Sequence, residues 1–396
     1  MSEHARYVLI GGGVASVTAA QAIREADAEG RILMIRDEPH VPYDRPPLSK
    51  GYIRNLAVDI DDISSKYESF YEDNKIDRWL ATRAASIDCA AKTVTTEDGR
   101  TVTYDKLLIA TGVRANRPSF ATGDRVFCLR TMDDAEAIRQ VLHPSESIVV
   151  IGSGYIAGEV ASVALGLGKK VTILSRDPSF WTNFASRETG DRIVQAFREA
   201  GAELVLDAAI DRIESGPTVH LADGRSFSAG LVVYGTGIIP NIELASAAGL
   251  AVDAAHGIVV DDHLRTADPD IYACGDVAFR PGHPMGLSGE HHLNAKWQGT
   301  TAGSNMAGDD ETHSKVPYFW TDFLDLHMIL RGHPENAVSA KVLGDRAAGE
   351  FTELYAGPDG NLAMGISISH DEPSLDPISD RLASHIGQPI DTFELP

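Results

Sequence analysis

Two glycine-rich segments, about 140 residues apart, have the residue types that bind the pyrophosphate of a dinucleotide. Each follows a short apolar run typical of a buried parallel strand and precedes an alanine-rich stretch typical of a helix. Glycine permits the tight turn and lets the backbone approach a pyrophosphate at the helix N-terminus. Two such segments predict two bound dinucleotides, with hydride chemistry between them. The candidate binding residues are Gly11, Gly13, Val14 and Ala15 in the first segment, and Gly152, Gly154, Tyr155 and Ile156 in the second.

The residues that follow the second strand of each unit bear on recognition of the ribose. Asp37 lies about 25 residues after the first glycine turn, where a carboxylate accepts hydrogen bonds from ribose hydroxyls, and Glu38 is the neighbouring candidate. In the second unit the strand leads to Ser175 and Arg176, whose hydroxyl and guanidinium suit a 2′-phosphate and favour NADPH. Asp177 would serve NADH if the loop bends differently.

A repeated order of predicted elements positions these residues. A glycine turn, a second strand, a hairpin, a buried strand and a glycine-containing turn occur in this order twice, which indicates an internal duplication. The sequence therefore predicts an α/β fold with two Rossmann-like dinucleotide-binding domains. A change of composition from about residue 312 predicts a third, α+β domain at the C-terminus. The predicted strands that lead into the turns are Tyr7–Ile10, Ile32–Ile35 and Leu107–Gly112 in the first unit, and Ile148–Ile151, Lys170–Leu174 and Leu231–Tyr234 in the second.

Further motifs indicate a family. They are the proline-rich run Pro42-Tyr43-Asp44-Arg45-Pro46-Pro47-Leu48-Ser49-Lys50, the run Ile271-Tyr272-Ala273-Cys274-Gly275-Asp276, and the run Tyr318-Phe319-Trp320-Thr321-Asp322. Together with the glycine turns, they resemble the FAD-dependent NAD(P)H reductases of ferredoxin, putidaredoxin and rubredoxin. Those proteins have a glutathione-reductase-like fold and are related to apoptosis-inducing factor. The resemblance extends from Tyr7 to about Gly332.

This resemblance implies roles for several residues. Arg45 would neutralise the FAD pyrophosphate, and Lys50 would lie beside the N5 edge of the isoalloxazine, in an ion pair with Glu159. A cation at that edge favours the negative charge of a reduced flavin. Trp320 would border the flavin and the nicotinamide channel, which completes the predicted catalytic set, and Asp276 would accept a hydrogen bond from the flavin ribityl chain. Further candidate cofactor-binding residues are Ala84, Ala110, Thr111, Gly112, Arg130, Gly237, His291 and His292.

Other interpretations stay open for some of these residues. Glu159 falls in the first turn of a predicted helix, where its charge suits the helix dipole. Arg130 fits a surface salt bridge nearly as well as a diphosphate contact, and Trp320 fits an ordinary core aromatic cluster. The run Glu290-His291-His292 invites a metal site, but adjacent histidines without a third ligand nearby make a poor zinc site. No metal is therefore predicted.

The resemblance also implies a domain plan and an activity. Residues 1–113 and 232–311 would form a discontinuous FAD-binding domain, 114–231 an inserted NAD(P)-binding domain, and 312–396 a C-terminal domain that packs over the flavin. Hydride would pass from NAD(P)H, with NADPH favoured, to FAD, and single electrons would pass to a [2Fe-2S] ferredoxin that feeds an oxygenase. Two alternatives stay open: a redox-sensing interaction protein similar to apoptosis-inducing factor, and an NAD(P)H oxidase or quinone reductase.

Composition limits the remaining possibilities. The chain has 396 residues and a formal net charge of −22, which argues against nucleic-acid binding, and its apolar runs are too short to span a bilayer. Cys89, Cys128 and Cys274 are widely separated and form neither a zinc cluster nor a redox-active pair. The missing pair distinguishes this chain from thioredoxin and glutathione reductases. We expect a cytoplasmic protein, monomeric or homodimeric, with no secretory signal and no membrane partner.

Overall fold

The structure, a computed structural model, describes residues 3–281, 291–333 and 337–396. Its helices are α1 (Val14–Ala26), α2 (Gly51–Arg54), α3 (Glu68–Asp73), α4 (Met132–Leu142), α5 (Tyr155–Gly166), α6 (Arg187–Glu199), α7 (Glu243–Ala247), α8 (His292–Ala307) and α9 (Leu375–His385). Its strands up to residue 174 are β1 (Glu3–Ile10), β2 (Ile32–Ile35), β3 (Ile76–Trp79), β4 (Ala84–Asp88), β5 (Thr93–Thr96), β6 (Thr101–Ile109), β7 (Val113–Ala115), β8 (Val126–Cys128), β9 (Ser147–Ile151) and β10 (Lys170–Leu174). The later strands are β11 (Glu203–Val205), β12 (Ile210–Glu214), β13 (Thr218–Leu221), β14 (Ser226–Ser228), β15 (Leu231–Tyr234), β16 (Ile238–Pro240), β17 (Val252–Asp253), β18 (Gly257–Val259), β19 (Ile271–Ala273), β20 (Ala278–Phe279), β21 (Tyr318–Phe323), β22 (Leu326–Gly332), β23 (Val338–Asp345), β24 (Glu350–Ala356) and β25 (Leu362–Ser369).

The chain divides into two compact units. The first comprises Met1–Asp44, Ile60–Arg114 and Ile239–Pro317, and the second comprises Arg45–Asp59, Ala115–Ile238 and Tyr318–Pro396. The predicted bounds of the FAD-binding, NAD(P)-binding and C-terminal domains stay a prediction.

The first unit contains a seven-stranded sheet whose parallel strands end at one edge, while β5 and β4 continue it antiparallel beyond β6. Strands β3, β2, β1 and β6 pair in that order, and β19 joins β6. Ile10 is in register with Ile35 on one side and with Ile109 on the other. Because β2, β19 and the C-terminal ends of β1 and β6 are buried and apolar, the polar residues that can bind a ligand lie just beyond the carboxyl ends of these strands. The residues that follow β1, β2, β6 and β19 are Gly11, Arg36, Ala110 and Cys274.

The second unit repeats this plan. Its parallel sheet has the order β11-β10-β9-β15-β8, and Ile151 is in register with Leu174 and Tyr234. A separate antiparallel sheet, β21-β22-β25-β24-β23, occupies the C-terminal part of the unit with α9. The predicted α/β class, with two Rossmann-like sheets and an α+β region at the C-terminus, is confirmed.

A buried carboxylate joins α6 to β24 inside the second unit. The side chain of Glu353 is fully buried and accepts hydrogen bonds from Ser186 Oγ at 2.9 Å and Tyr355 Oη at 2.8 Å. The hydroxyl of Thr189 also donates to it, and a guanidinium nitrogen of Arg346 lies 3.0 Å from its Oε1. Burial raises the pKa of Glu353, but the hydroxyl donors outweigh burial and hold the pKa below its ordinary value. The carboxylate is therefore a fully satisfied anchor.

Some predicted boundaries differ from the structure. The predicted strand Leu107–Gly112 is the end of a longer strand, β6, which begins at Thr101 and ends at Ile109. The residues Ala110-Thr111-Gly112 belong to the loop, because the chain turns away from the sheet at Gly112, whose φ is +62°. Within the described ranges, no helix combines the length and the apolar character needed to cross a bilayer.

Candidate functional site

The first glycine turn lies between β1 and α1. Gly11 has φ +122°, and a Cβ added there would lie 2.2 Å from the carbonyl oxygen of Ala110, so only glycine fits. Gly13 is the N-cap of α1, and no side chain caps this helix. The amides of the first helical turn, beginning at Val14, therefore need acceptors from elsewhere, and a phosphate is a suitable one. Ala15 is buried in the same turn and packs the helix onto the unit.

The second glycine turn has the same geometry between β9 and α5. Gly152 has φ +128°, and an added Cβ would lie 2.4 Å from the carbonyl oxygen of Gly235. Gly154 is the N-cap of α5, which begins at Tyr155 and again lacks a side-chain cap. By contrast, α4 and α6 in the same unit are capped by the hydroxyls of Thr131 and Ser186. The helices that follow the two glycine turns therefore both leave the amides of their first turn open to an acceptor such as a phosphate.

Two asparagines that the sequence did not indicate hold the strand-end turns. In the first unit, Thr111 Oγ1 donates to the carbonyl of Asn241 at 2.9 Å, and Asn241 Nδ2 donates to the carbonyl of Thr111 at 2.8 Å. In the second unit, Thr236 and Asn116 make the same reciprocal pair, both bonds being 3.2 Å. These pairs fix the loops that contain the predicted residues Ala110, Thr111, Gly112 and Gly237.

Arg36, which sequence reasoning missed, lies against the first glycine turn. It is 3% exposed, its Nη1 donates to the carbonyl of Gly12 at 3.1 Å, and its Nη2 lies 3.2 Å from Glu38 Oε2. The guanidinium carbon is 4.9 Å from the centroid of the Tyr43 ring. The Nε–H of Arg36 is buried and has no acceptor among the residues that the structure describes. Asp37, the preferred ribose ligand, is exposed.

The other predicted residues of the first unit lie at strand or helix ends. Asp276 follows β19, and the preceding amide of Gly275 donates to Gln298 Oε1 at 2.8 Å. His292 begins α8 after the N-cap His291. Burial, together with the charge of Lys296, lowers the pKa of His292, while the carboxylates of Asp44 and Asp276 oppose that shift. The roles of Asp276 and His292 at a flavin stay predictions.

Ala84 and the run considered for a metal are the remaining candidates of the first unit. Ala84 begins β4 and is partly buried. Glu290, part of the run considered for a metal, lies outside the described residues. Among those that are described, no group of three or more His, Cys, Asp and Glu side chains could hold a metal ion.

A charged cluster in the second unit surrounds Lys50. Its Nζ lies 3.5 Å from Oε1 of Glu159 and 2.9 Å from Oδ2 of Asp322. Glu159 is 7% exposed and also accepts hydrogen bonds from the hydroxyls of Ser49 and Thr321, the latter at 2.6 Å. The structure thus brings the two predicted partners together and adds a second carboxylate that the sequence did not assign to Lys50.

Asp322 extends this cluster to a histidine. Its Oδ1 lies 2.8 Å from Nδ1 of His327, on the neighbouring strand β22. Burial raises the pKa of Asp322, but the hydrogen bonds and charges of Lys50 and His327 outweigh burial and hold the pKa below its ordinary value. The carboxylate is ionised at neutral pH and links the lysine to the imidazole.

Three further predicted residues of the second unit, Arg45, Arg130 and Trp320, each contact a neighbouring residue. Arg45 donates from its guanidinium to the backbone carbonyl of Arg130, which brings these two predicted diphosphate residues together. Trp320 stacks on Tyr318 with ring centroids 5.9 Å apart. The guanidinium of Arg331 lies over the Tyr318 ring, 4.0 Å from its centroid. The stacking rigidifies the partly exposed indole of Trp320.

The strand end that faces the second glycine turn is occupied by Asp177. Its Oδ2 accepts a hydrogen bond from Ser153 Oγ at 2.8 Å, and its amide donates to Ser175 Oγ at 3.0 Å. Ser175 is 1% exposed, whereas Arg176 is exposed. The loop therefore bends so that a carboxylate, not a hydroxyl, lies against the turn.

These arrangements fit two dinucleotides. Each glycine turn is a cradle that a single Cβ would fill, and each adjoins an open helix N-terminus. Beside the first turn, a buried N–H of Arg36 lacks an acceptor among the residues that the structure describes. Two such units define the class of the protein, which is an oxidoreductase that binds two dinucleotides.

Comparison with known proteins specifies the class. Residues 5–299 match the model of the pyridine nucleotide-disulphide oxidoreductase family, and the chain belongs to that family. It is 35% identical to the rubredoxin-NAD(+) reductase of Pseudomonas putida, over 80% of this chain and 83% of that protein. It is 33% identical to the ferredoxin--NAD(+) reductase component of the biphenyl dioxygenase system of Paraburkholderia xenovorans (strain LB400), over 91% and 89% of the two chains. Among solved structures, it superposes on the reductase of the covalent putidaredoxin reductase-putidaredoxin complex with a TM-score of 0.89 and 28% identity, over 97% and 93% of the two chains.

The family resemblance inferred from the sequence is thereby confirmed. The chain is an oxidoreductase whose cofactors are FAD and NAD(H). The relatives named here are NAD(+) reductases and lend no support to a preference for NADPH. The roles of the individual site residues stay predictions.

Proposed function

We propose that this protein is the reductase component of an electron-transfer chain, which oxidises NADH and passes electrons one at a time to a small iron–sulfur protein. The observation that carries the proposal is the pair of matching glycine turns, each beside an open helix N-terminus, in a chain whose three cysteines are all free. Bound FAD supplies the conversion of a two-electron hydride into single electrons. The likeness to reductases of rubredoxin and of a dioxygenase ferredoxin supports the acceptor class.

The cysteines support direct electron transfer to the partner. Cys128 and Cys274 are buried and Cys89 is partly buried, and none forms a disulfide. Burial raises the pKa of the Cys274 thiol far above its ordinary value and also raises that of Cys89, so neither is a ready thiolate. A dithiol relay of the glutathione-reductase kind has no pair of sulfurs to use.

The second-unit cluster is the part of the chain that we assign to the reaction. The carboxylates of Glu159 and Asp322 lie 3.5 Å and 2.9 Å from the amine of Lys50 and restrict its position. A fixed cation acts on developing negative charge without reorganisation at the moment of reaction. We therefore assign Lys50 the role of stabilising the reduced cofactor, with Glu159 and Asp322 as its positioning residues.

The contacts of Asp177 support NADH as the donor. A carboxylate held against the turn by Ser153 can accept a hydrogen bond from a ribose hydroxyl and repels a 2′-phosphate. The hydroxyl of Ser175, which would have suited the phosphate, is buried and already bonded to the amide of Asp177. NADPH, favoured by the sequence, is the second candidate and depends on the exposed Arg176.

The test uses purified protein with its natural complement of cofactor. We expect the absorption bands of oxidised flavin, which bleach on anaerobic addition of NADH. Cytochrome c reduction by NADH should then depend strongly on an added [2Fe-2S] ferredoxin or rubredoxin. If the rate of cytochrome c reduction or of oxygen consumption did not change when these acceptors were added, the result would contradict the proposal. It would favour an oxidase or a redox-sensing protein.

A further inference from the structure

The side chain of Arg36 has more donors than the described part of the molecule satisfies. Burying an arginine is costly unless its N–H groups are paired, and Arg36 is only 3% exposed. One terminal nitrogen is paired with the carbonyl of Gly12 and another with Glu38. The Nε–H lacks an acceptor within residues 3–281, 291–333 and 337–396. A buried, charged donor without an acceptor indicates a ligand that supplies one.

The position of the guanidinium indicates which part of the ligand would lie beside it. A Cβ added to Gly12 would lie 3.0 Å from Arg36 Nε and 2.3 Å from its Cδ, so the side chain lies directly along the glycine turn. Arg36 also follows β2, at the strand end that faces the ribose in such folds. The adenosine–diphosphate half of a dinucleotide is the part that can contact both the glycine turn and this strand end.

Charge gives a second reason for an arginine at this place. Asp37 and Glu38 follow directly in the sequence, and a dinucleotide brings two negative phosphates to the same turn. Carboxylates alone would repel that diphosphate. The pair of Arg36 with Glu38, whose Oε2 also accepts a hydrogen bond from Tyr43 Oη at 2.5 Å, leaves the carboxylate able to accept from ribose while the guanidinium offsets its charge.

We propose that Arg36, paired with Glu38, is a FAD-binding residue that contacts the adenosine–diphosphate half of the cofactor and controls its retention. The proposal rests on FAD binding at the first glycine turn. It assigns the orphan Nε–H to an oxygen of the ribose or the diphosphate, and it makes no claim on the isoalloxazine end.

The experiment measures cofactor affinity in flavin-free protein. FAD, FMN and ADP are titrated into apoprotein of the natural sequence, of Arg36→Met and of Arg36→Lys, with ADP measured by competition. Arg83→Met is the matched control, since Arg83 belongs to the same unit but is exposed. We expect Arg36→Met to weaken FAD and ADP by about tenfold or more, which is the loss of a charged hydrogen bond, and FMN by less than twofold. Arg36→Lys should fall between, and Arg83→Met should match the natural sequence.

Two results would overturn the inference. One is FAD affinity of Arg36→Met within twofold of the natural protein. The other is equal weakening of FAD and FMN, which would mean that Arg36 only shapes the turn. If Arg36→Met apoprotein does not fold by circular dichroism, the same comparison of FAD with FMN in Arg36→Lys decides. Failure of the natural apoprotein to take up FAD would instead refute the proposed function.

Discussion

The amine of Lys50 lies closer to the carboxylate of Asp322 than to that of Glu159, at 2.9 Å against 3.5 Å, although 272 residues separate Lys50 from Asp322 in the chain. The lysine is thus held between two carboxylates, and one of these also meets His327. This arrangement makes the cluster sensitive to replacement of any single member, because each removal leaves a partly buried charge with fewer partners.

Replacement of Lys50 by methionine should slow the reduction of bound flavin by NADH. The expected loss is about tenfold or more in the stopped-flow rate, since a fixed cation is withdrawn from developing negative charge. FAD content should be retained, because the glycine-turn contacts of the first unit are unchanged. An unaltered reduction rate would remove Lys50 from the reaction.

Replacement of Asp322 by asparagine should destabilise the protein in a pH-dependent way. The pKa of Asp322 lies below its ordinary value of 3.8 in the folded protein, so its ionised form stabilises the fold above about pH 4, and this stabilisation is lost as pH falls through the folded pKa. At neutral pH the expected loss is about 1 kcal/mol, because the group is partly exposed and screened by solvent. Thermal unfolding of both proteins from neutral pH to pH 3 checks this, and a difference that does not shrink toward low pH would contradict it.

His292 should contribute a different pH dependence. Its folded pKa lies below 6.5, so the unfolded chain takes up a proton before the folded one does. Stability should therefore be full above about pH 7 and decline as pH falls through 6.5 toward the folded pKa. His292→Gln should flatten this part of the stability profile, as measured by denaturant midpoints. A profile as steep in the variant as in the natural protein would assign the effect to other groups.

Asp177→Asn should change the choice of coenzyme. Replacement of the carboxylate by an amide exchanges a charged ribose acceptor for a weaker neutral one and removes the repulsion of a 2′-phosphate, so we expect kcat/KM for NADH to fall about tenfold and its ratio to that for NADPH to fall further. Arg176→Gln is the control, because Arg176 is exposed and the adjacent loop contacts are retained. Should Arg176→Gln alter the coenzyme ratio while Asp177→Asn does not, NADPH would be the natural donor.

Glu353→Ala should strongly destabilise the second unit. Removal of this fully buried carboxylate leaves Arg346 and the hydroxyl of Thr189 without their acceptor, and the expected cost is about 3 kcal/mol or more. Glu350→Ala, an exposed position at the start of the same strand, should cost about 1 kcal/mol or less. Denaturant unfolding of the two variants should differ accordingly, and equal losses would show that the carboxylate is no anchor.

The fold was largely predictable from the sequence because its signals are local. An apolar run, glycines and an alanine-rich stretch occur within about twenty residues, and they specify strand, turn and helix together. The second partner of Lys50, Asp322, and the role of Asn241 were not predictable in this way, because they arise from contacts between distant segments. Arg36 was missed for another reason: motif reasoning expects an acid after the second strand and attends to Asp37 and Glu38.

The likeness of the two glycine turns has a consequence for turnover. Since both present the same backbone shape, the shape itself cannot decide which nucleotide stays and which exchanges in every cycle. We expect that distinction to come from side chains beyond the second strand of each unit: the buried cation Arg36, directly after β2, and the anion Asp177, three residues after the end of β10. In a duplicated scaffold, the charge of these neighbouring side chains would then separate a cofactor that stays bound from a coenzyme that exchanges in every cycle.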